Sequence, residues 1–397
     1  MARRMRLIVC FLLCSLGLAS AQAENWPQWR GAKLDGISGE KGLPTKWSKT
    51  ENVLWRLPLP GQAGATPVVW GERIFLTSIE GENLILMCVG TDGKHVWTFM
   101  GTGDLACYTV DGKEVWKQNV EDRYGKIKIQ FGMASTPVLD GGRLYLQLIH
   151  GDYKVDTQEA KVVCLDAATG SEVWAVDRQS DGRHECEHSY ASPILYRDSE
   201  RQFLLTHGND YIVAHDLADG HELWRCGDLN PKGSYNETLR FVASPVAVPG
   251  MIVVPSAKHK GMLCLKPDGS GNITDKPEFS HWRWKKDTTD VPSPLILGDT
   301  VYVFDEDGFF TAADAKTGTV IFRKPTTRDR HRASPVYADG HIYLTARKGI
   351  VTVVKAGREF EVVSQNDMQE PITASPVISG GRIYLRSFDA LYAIGAK

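Results

Sequence analysis

The stretch Ala333-Ser-Pro-Val-Tyr-Ala-Asp-Gly-His-Ile-Tyr-Leu-Thr345 joins a small residue and a proline to a short strand, a tight turn and a second strand. Alternating apolar residues are typical of a half-buried β-strand, and Asp-Gly favours a hairpin turn. The phrase recurs around seven prolines, which are 70, 56, 52, 49, 41 and 41 residues apart: Pro67, Pro137, Pro193, Pro245, Pro294, Pro335 and Pro376. Periods of about 40 to 50 residues built from short strands predict the blades of a β-propeller.

A second recurring feature is a glycine followed four residues later by an aromatic residue, at the end of the expected fourth strand of a blade. Glycine supplies the backbone conformation of a tight turn, and we expect the aromatic ring to dock between neighbouring blades. These docking residues are Trp97, Trp116, Trp174, Trp224 and Phe322.

The ends of the chain predict how the ring closes. The last repeat stops after its third strand, 391–394, whereas 52–57 near the amino terminus has the pattern of an unattached fourth strand. We therefore expect an all-β, eight-bladed propeller of four-stranded antiparallel blades, closed by this N-terminal strand. Two Gly-x-x-x-Trp endings share one proline phrase between Pro67 and Pro137, so two strands are unaccounted for near Gly90. A propeller of seven blades, with an imperfect first pair and an extra hairpin, therefore remains an open alternative.

The segment Cys164-Leu-Asp-Ala-Ala-Thr-Gly-Ser-Glu-Val-Trp174 resembles the docking repeat Ala-x-Asp-x-x-Thr-Gly-x-x-x-Trp of pyrroloquinoline quinone (PQQ) type propellers. Weaker copies run from Ala214 to Trp224 and from Ala312 to Phe322, and the similarity covers roughly Asn52 to Lys397. That family includes quinoprotein dehydrogenases and the outer-membrane assembly scaffold propeller (BamB-like). For a dehydrogenase, the resemblance implies a calcium ion beside the quinone, an aspartate base and often two adjacent cysteines. The sequence has no Cys-Cys pair and no Cys-x-x-Cys-His haem site, so no catalytic residue is carried over.

The amino terminus predicts export. Residues 1–23 place three arginines before an apolar run and end in Ala21-Gln22-Ala23, which is the pattern of a signal peptide cleaved near Ala23. Cleavage would leave an N-terminal extension at 24–51 and the propeller at 52–397, and it would change the net charge from −2 to −5. A negative chain argues against a nucleic-acid partner, and no later apolar run is long enough to span a membrane. We expect a secreted or periplasmic protein.

The cysteines favour a packing role. Cys88, Cys107, Cys164 and Cys264 follow similar apolar residues, and Ala214 and Ala312 take the same place in other repeats. A small apolar side chain in the core explains this pattern. Cys186 and Cys226 lie outside it, and a disulfide between them stays open.

The segments just before the proline phrases, and those joining second to third strands, are expected to meet on one face around the central channel. We call this the loop face. Its candidate ligand-binding residues are His184, Glu185, Glu187, His188, Tyr190, Asn209, Arg240, His259, Asp290, Asp305, Arg330, His331 and Arg332. Such mixed charge suits a small polar or anionic ligand or a protein, and equally suits solvated loops with ion pairs between blades.

His184-Glu-Cys-Glu-His188 matches the zinc motif His-Glu-x-x-His, which works when a helix puts both histidines on one face. Gly182 and Pro193 flank the segment and no helical apolar period surrounds it, so we predict no metal site and no catalytic residues here.

These observations favour a non-catalytic binding or scaffold protein that acts through its loop face and needs no cofactor. The first alternative is a PQQ-dependent oxidoreductase, with PQQ and calcium. The second is a polysaccharide-binding or polysaccharide-cleaving propeller, which Tyr190 or Tyr235 exposed in the channel mouth would favour. The sequence leaves the oligomeric state and the identity of the partner open.

Overall fold

The computed structural model describes residues 24–80, 83–85, 88–154 and 159–396. The predicted signal peptide at 1–23 lies outside the described residues. The first strands along the chain are β1 (Val53–Pro58), β2 (Val68–Trp70), β3 (Arg73–Phe75), β4 (Ser78–Glu80) and β5 (Asn83–Ile85). β2 pairs with β3, and β4 pairs with β5, as two-stranded hairpins.

Three antiparallel blades follow. Blade 1 contains β6 (Cys88–Thr91), β7 (His95–Phe99), β8 (Asp104–Thr109) and β9 (Glu114–Asn119). A short helix, α1 (Val120–Tyr124), leads to blade 2 with β10 (Val138–Asp140), β11 (Arg143–Leu148), β12 (Lys161–Asp166) and β13 (Glu172–Asp177). Blade 3 contains β14 (Ile194–Arg197), β15 (Gln202–Gly208), β16 (Tyr211–His215) and β17 (Glu222–Cys226).

The remaining strands complete the ring. Blade 4 contains β18 (Val246–Val248), β19 (Met251–Pro255), β20 (Met262–Leu265) and β22 (Ser280–Trp284), and the intervening β21 (Gly271–Asn272) pairs in parallel with β17. Blade 5 contains β23 (Leu295–Leu297), β24 (Thr300–Phe304), β25 (Phe309–Asp314) and β26 (Val320–Pro325). Blade 6 contains β27 (Val336–Ala338), β28 (His341–Thr345), β29 (Ile350–Lys355) and β30 (Val362–Asp367). Blade 7 contains β31 (Val377–Ser379), β32 (Arg382–Arg386) and β33 (Ala390–Ile394), with β1 as its fourth strand.

The prediction of an all-β propeller of four-stranded antiparallel blades, closed by an N-terminal strand, is confirmed, and the described residues contain seven such blades. β1 pairs with β33 as expected. The eighth position is incomplete: β2 contacts β31 on one side and β6 on the other, but among the described strands it shares a sheet only with β3. The region near Gly90 holds the first strand of blade 1, which begins at Cys88 and follows no proline phrase.

Small side chains on the third strands lie opposite large aromatic residues on the fourth. Cys107 pairs with Trp116, Cys164 with Trp174, Ala214 with Trp224, Cys264 with Trp282 and Ala312 with Phe322, and all five small side chains are fully buried. The predicted packing role holds for these positions. Cys88 differs, because it lies on an innermost strand, β6, opposite Thr98. Cys186 and Cys226 are buried free thiols, so the open disulfide alternative is wrong.

The docking aromatics reach the next blade. The indole nitrogens of Trp116, Trp174 and Trp282 donate to the carbonyls of Ala167, Leu217 and Ala315, at 2.9, 3.0 and 2.8 Å. Trp224 packs against Gly269 instead, and the ring of Phe322 packs at a tilt of 56° against that of Phe360. Trp97 was expected on a fourth strand, but it lies on the second strand of blade 1 and shares the Ala167 carbonyl at 2.8 Å.

The glycine of the docking turn is needed for close contact. Gly220 has φ of +80°, and a Cβ atom there would lie 2.5 Å from the ring of Trp174. Only glycine adopts this left-handed conformation without strain while leaving room for the indole. The Gly-x-x-x-Trp repeat therefore encodes the interface between neighbouring blades.

Candidate functional site

A ring of hydroxyl groups surrounds the central channel at the level where the inner strands begin. The proline phrase puts a serine or threonine at this level in each repeat. Its backbone N–H donates to the hydroxyl oxygen of the next repeat: Thr136 to Ser192 (2.9 Å), Ser192 to Ser244 (2.8 Å), Ser244 to Ser293 (3.0 Å), Ser293 to Ser334 (3.0 Å) and Ser334 to Ser375 (2.9 Å). We call these six residues the hydroxyl ring. Each bond crosses from one blade to the next, so the ring ties the inner strands together.

The hydroxyl ring lines a cavity of about 380 Å³. Apolar side chains, including Phe99, Met133, Val242 and Val291, form much of the remaining wall. Arg332 is the only charged residue among the described residues that line this inner cavity.

The N-terminal segment 24–47 lies along the inner strands rather than apart from the propeller. Trp26 pairs with Val69 of β2, the side chain of Gln28 accepts from the backbone N–H of Leu139, and Ile37 bridges to Tyr337 of β27. Trp29 lines the inner cavity. The segment therefore occupies part of the channel, and Trp26 and Trp47 join the core formed with blades 6 and 7.

Arg30 of this segment is a buried cation. Arg30 is 2% exposed, and its guanidinium donates to the carbonyls of Pro294 (2.8 Å), Asp35 (2.9 Å) and Ser293 (3.4 Å). Burial lowers its pKa to about 10, and no carboxylate of the described residues forms an ion pair with it. A guanidinium that remains charged here adds positive potential beneath the hydroxyl ring.

Above the ring, a wider cavity of about 790 Å³ opens on the loop face. We call it the mouth. Seven of the thirteen predicted candidates line it: Tyr190, Arg240, His259, Asp290, Arg330, His331 and Arg332. About half of the predicted candidates therefore lie on loops that converge on one cavity. Their role in ligand binding stays a prediction.

An aromatic residue that sequence reasoning missed is the most exposed apolar side chain at the mouth. Phe131 is 62% exposed, its ring centroid lies 6.2 Å from that of Tyr190, and the guanidinium of Arg240 lies 4.9 Å from its centroid. Arg240 is held by Glu185 at 2.7 Å. A fixed cation over an exposed aromatic ring is worth about 0.5–1 kcal/mol and keeps the ring in place.

The other side of the mouth carries carboxylates. Glu306 accepts from the backbone N–H of Asp290 at 2.8 Å and faces the ring of His259 at 3.2 Å, and Asp307 faces the same ring at 3.3 Å. Burial raises the pKa of Glu306. These contacts pair His259 with two carboxylates of the neighbouring blade.

The other predicted candidates do not line the mouth. Glu187 and His188 are buried near blade 2, where Glu187 accepts from the backbone N–H of Tyr153 and His188 contacts the carbonyl of Gly151 at 3.1 Å. Burial raises the pKa of Glu187 and lowers that of His188. Asn209 is buried in the turn between β15 and β16.

Asp305 is buried and paired with Arg323 at 2.8 Å, and His184 is exposed beside Glu237. His331, although it borders the mouth, is buried edge-on against Phe304, and burial lowers its pKa.

The His-Glu-x-x-His segment does not form the helix that its zinc chemistry requires. His184–Glu187 is a single 3₁₀ turn, with His184 exposed and His188 buried. In the described part of the chain, the one group of three or more potential ligands with all ligand atoms within 4.8 Å is Asp216, Asp219 and His221, in an outer turn.

The channel also lacks the carboxylates that the quinoprotein resemblance implies for a calcium ion and an aspartate base, because no described carboxylate lines the inner cavity. The expectation of no cofactor stays a prediction. The aromatic side chains named for polysaccharide binding are also not freely exposed, since Tyr190 is buried and Tyr235 lies under Arg183 at 4.8 Å.

Comparison with known proteins identifies relatives over most of the propeller. The family model described as "Outer membrane protein assembly factor BamB" matches residues 101–271 and 278–397. The outer membrane protein assembly factor BamB of Burkholderia pseudomallei is 21% identical over 328 residues, which cover 80% of this chain and 75% of the relative. That of Alkalilimnicola ehrlichii is 24% identical over 188 residues. This second alignment covers 47% of the chain and spans about half the length of the relative, 46%.

Solved structures show the same fold. BamB from Moraxella catarrhalis has 16% identity and a TM-score of 0.60, with 86% of this chain and 96% of that chain covered. A europium-containing methanol dehydrogenase has 10% identity and a TM-score of 0.54, with 91% and 81% covered. At these identities the likeness concerns the fold alone. In the described residues, no helix is long and apolar enough to cross a membrane.

Proposed function

Because the chain belongs to the family described as outer membrane protein assembly factor BamB, we propose that it is a non-catalytic scaffold that binds a protein partner through its loop face during outer-membrane protein assembly. The names of the curated relatives support the process, and the fold supports a binding role. We place the mature protein in the periplasm or outside the cell, consistent with the amino-terminal export pattern.

One observation carries this proposal: the exposed Phe131, backed by Tyr190 and capped by Arg240, at the edge of the mouth. Aromatic and arginine side chains dominate the binding energy of protein interfaces, especially when neighbouring contacts already hold them. Phe131 fits this description because two neighbours fix its ring while most of its surface is exposed. Because 62% of Phe131 is exposed, a partner that covers this ring would gain about 1–2 kcal/mol from its burial.

Unpaired cations extend the surface around the mouth. Among the described residues, no carboxylate forms an ion pair with the side chains of Arg328, Arg330, Arg332, Arg347 and Lys348. These residues come from two loops of the loop face, and the backbone N–H of Arg347 donates to the carbonyl of Arg330, which joins the loops. A cationic surface next to an aromatic anchor suits a protein segment that carries acidic and apolar side chains.

Photo-crosslinking in the native host tests the proposal. A photoreactive phenylalanine analogue at position 131 is expected to crosslink to a component of the outer-membrane protein assembly machinery. The same analogue in place of Glu72 is the control, because Glu72 is exposed in the turn between β2 and β3 on the opposite face. Absence of a crosslink at position 131, or an equal crosslink at position 72, would overturn the proposed role of the loop face.

A further inference from the structure

The inner cavity has an unusual polarity. Its lining, in the described residues, contains many hydroxyl groups and one arginine but no aspartate or glutamate. Five of the ring hydroxyls, those of Ser192, Ser244, Ser293, Ser334 and Ser375, belong to side chains that are only 2–6% exposed. Each of these five oxygens accepts one backbone N–H. None of them donates a hydrogen bond to another described residue.

A hydroxyl that already accepts a hydrogen bond is a better donor, because a chain of hydrogen bonds polarises its members. The ring therefore offers several O–H donors at one level of the channel, together with the hydroxyl of Thr136. Buried donors without an acceptor are costly, so the ring needs either water or a ligand with acceptor atoms.

Arginine side chains lie around the ring, and their positive charge favours an anionic acceptor over a neutral one. Arg332 lines the cavity from the loop-face side, is exposed, and forms no ion pair with a described residue. From the other side, the buried guanidinium of Arg30 contacts the carbonyl of the ring residue Ser293. A second buried guanidinium, that of Arg386, donates only to the carbonyls of Gly61 and Ala63, next to Gly64 in the cavity wall.

No carboxylate of the described residues lines the inner cavity, although that of Asp35 lies near Arg30 and offsets part of its charge. Asp290, Glu306 and Asp307 line the mouth, not the inner cavity, and His259 and backbone N–H groups face them. Arg332 and the hydroxyl donors therefore contribute most to the field inside the ring. Such a site favours an anion over a neutral molecule, since charge-assisted hydrogen bonds are about twice as strong as neutral ones.

We propose that the hydroxyl ring and Arg332 form a binding site for the carboxylate or phosphate group of a small ligand that enters the channel from the loop face. The cavity volume of about 380 Å³ suits a small metabolite-sized molecule. The apolar wall formed by Val242, Val291 and Phe99 would contact the rest of that molecule. This site shares Arg332 with the cationic surface around the mouth, but Phe131 and Arg240 do not line the inner cavity. Loss of the crosslink at position 131 and loss of anion binding are therefore distinguishable results.

Isothermal titration calorimetry of the mature protein, residues 24–397, tests the site. The probes are citrate, inorganic phosphate and, as a neutral comparison, glucose. We expect saturable binding of citrate or phosphate at one site per chain and none of glucose; the two anion titrations show which group the ring prefers. No saturable heat with either anion at concentrations up to about 10 mM, a range that detects sites worth about 3–4 kcal/mol, would overturn the proposal and leave a water-filled channel.

Three variants assign the binding to the ring. Arg332→Gln removes the cation at the rim and is expected to weaken binding about tenfold or more, as charged hydrogen bonds are worth about 1.5–3 kcal/mol. Thr136→Val removes a hydroxyl that makes no hydrogen bond with a described residue, so the fold is retained and binding is expected to weaken several-fold. Arg328→Gln is the matched control, because Arg328 is exposed in the same loop but lines neither cavity.

The control variant is expected to bind like the unchanged protein. Equal weakening by Arg328→Gln and Arg332→Gln would indicate general attraction of anions to a basic surface and would overturn the assignment. Binding that is unaffected by both Arg332→Gln and Thr136→Val would place the anion elsewhere and would overturn it as well.

Discussion

Replacement of Gly220 by alanine tests whether the docking turns hold the blades together. Gly220 has φ of +80°, and the added Cβ would lie 2.5 and 2.7 Å from two ring carbons of Trp174. The left-handed conformation costs alanine about 1–2 kcal/mol, and overpacking against a fixed indole typically costs about 1–3 kcal/mol more. Because Trp174 is anchored by its hydrogen bond to Leu217, it cannot move away freely. We expect Gly220→Ala to lower the free energy of unfolding by about 2–4 kcal/mol.

Gly340→Ala is the matched control. Gly340 has φ of +76° in the turn between β27 and β28, but nothing lies within 4 Å of a Cβ placed there. Its substitution is expected to cost the backbone strain alone, about 1–2 kcal/mol. Urea unfolding followed by circular dichroism measures the free energy of unfolding of both variants. The comparison requires that the slope of this free energy against urea concentration is the same in both. If Gly220→Ala is no more destabilising than Gly340→Ala, the rigid contact between the turn and Trp174 is refuted.

Three further predictions concern buried polar groups. Burial raises the pKa of Asp210 to about 6, above its value near 4 in the unfolded chain. The contribution of Asp210 to the free energy of unfolding is therefore complete below pH 4 and falls by about 2–3 kcal/mol as the pH rises to 6. Asp210→Asn should remove this fall in urea midpoints measured between pH 4 and 7; an unchanged profile would contradict it. Trp282→Phe loses the bond to the Ala315 carbonyl and should lower the free energy of unfolding by about 1–3 kcal/mol, measured in urea; no change would show that the bond is not needed. Alkylation without reductant, followed by mass spectrometry, should label five free thiols only after denaturation: Cys107, Cys164, Cys186, Cys226 and Cys264. Labelling in the native state would refute their burial.

The repeats made most of the fold predictable. Each proline phrase marks an inner strand, and the aromatic residue of a docking turn marks a fourth strand in blades 1, 2, 3 and 5. The rule failed at Trp97, because blade 1 begins without a proline phrase and its second strand also carries a tryptophan. It also missed Trp282, because residues 266–279 replace the tight turn and no glycine precedes the tryptophan by four residues.

The candidate site was only partly predictable. Loop residues such as Arg240 and Arg332 could be grouped because every connection into an inner strand starts on the same face. Polar type alone could not separate them from Glu187 and His188, which the fold buries near blade 2. Nothing in the sequence of 24–47 indicates that it enters the channel, because it shares no repeat with the blades. The hydroxyl ring was visible as a recurring serine, but its bonds exist only between repeats about 40 to 55 residues apart, so its chemistry required the closed ring.

The most direct test of the proposed scaffold role is the outer-membrane protein content of a host strain that lacks this gene. Complementation with the unchanged chain, or with Glu72→Ala, is expected to restore the amount of folded outer-membrane proteins. Complementation with the double variant Phe131→Ala, Arg240→Ala, at equal cellular level, is expected to fail, because the variant loses the aromatic anchor and its cation. Full restoration by the double variant would contradict the role of the loop face. An unaltered outer membrane in the strain lacking the gene would contradict the proposed function itself.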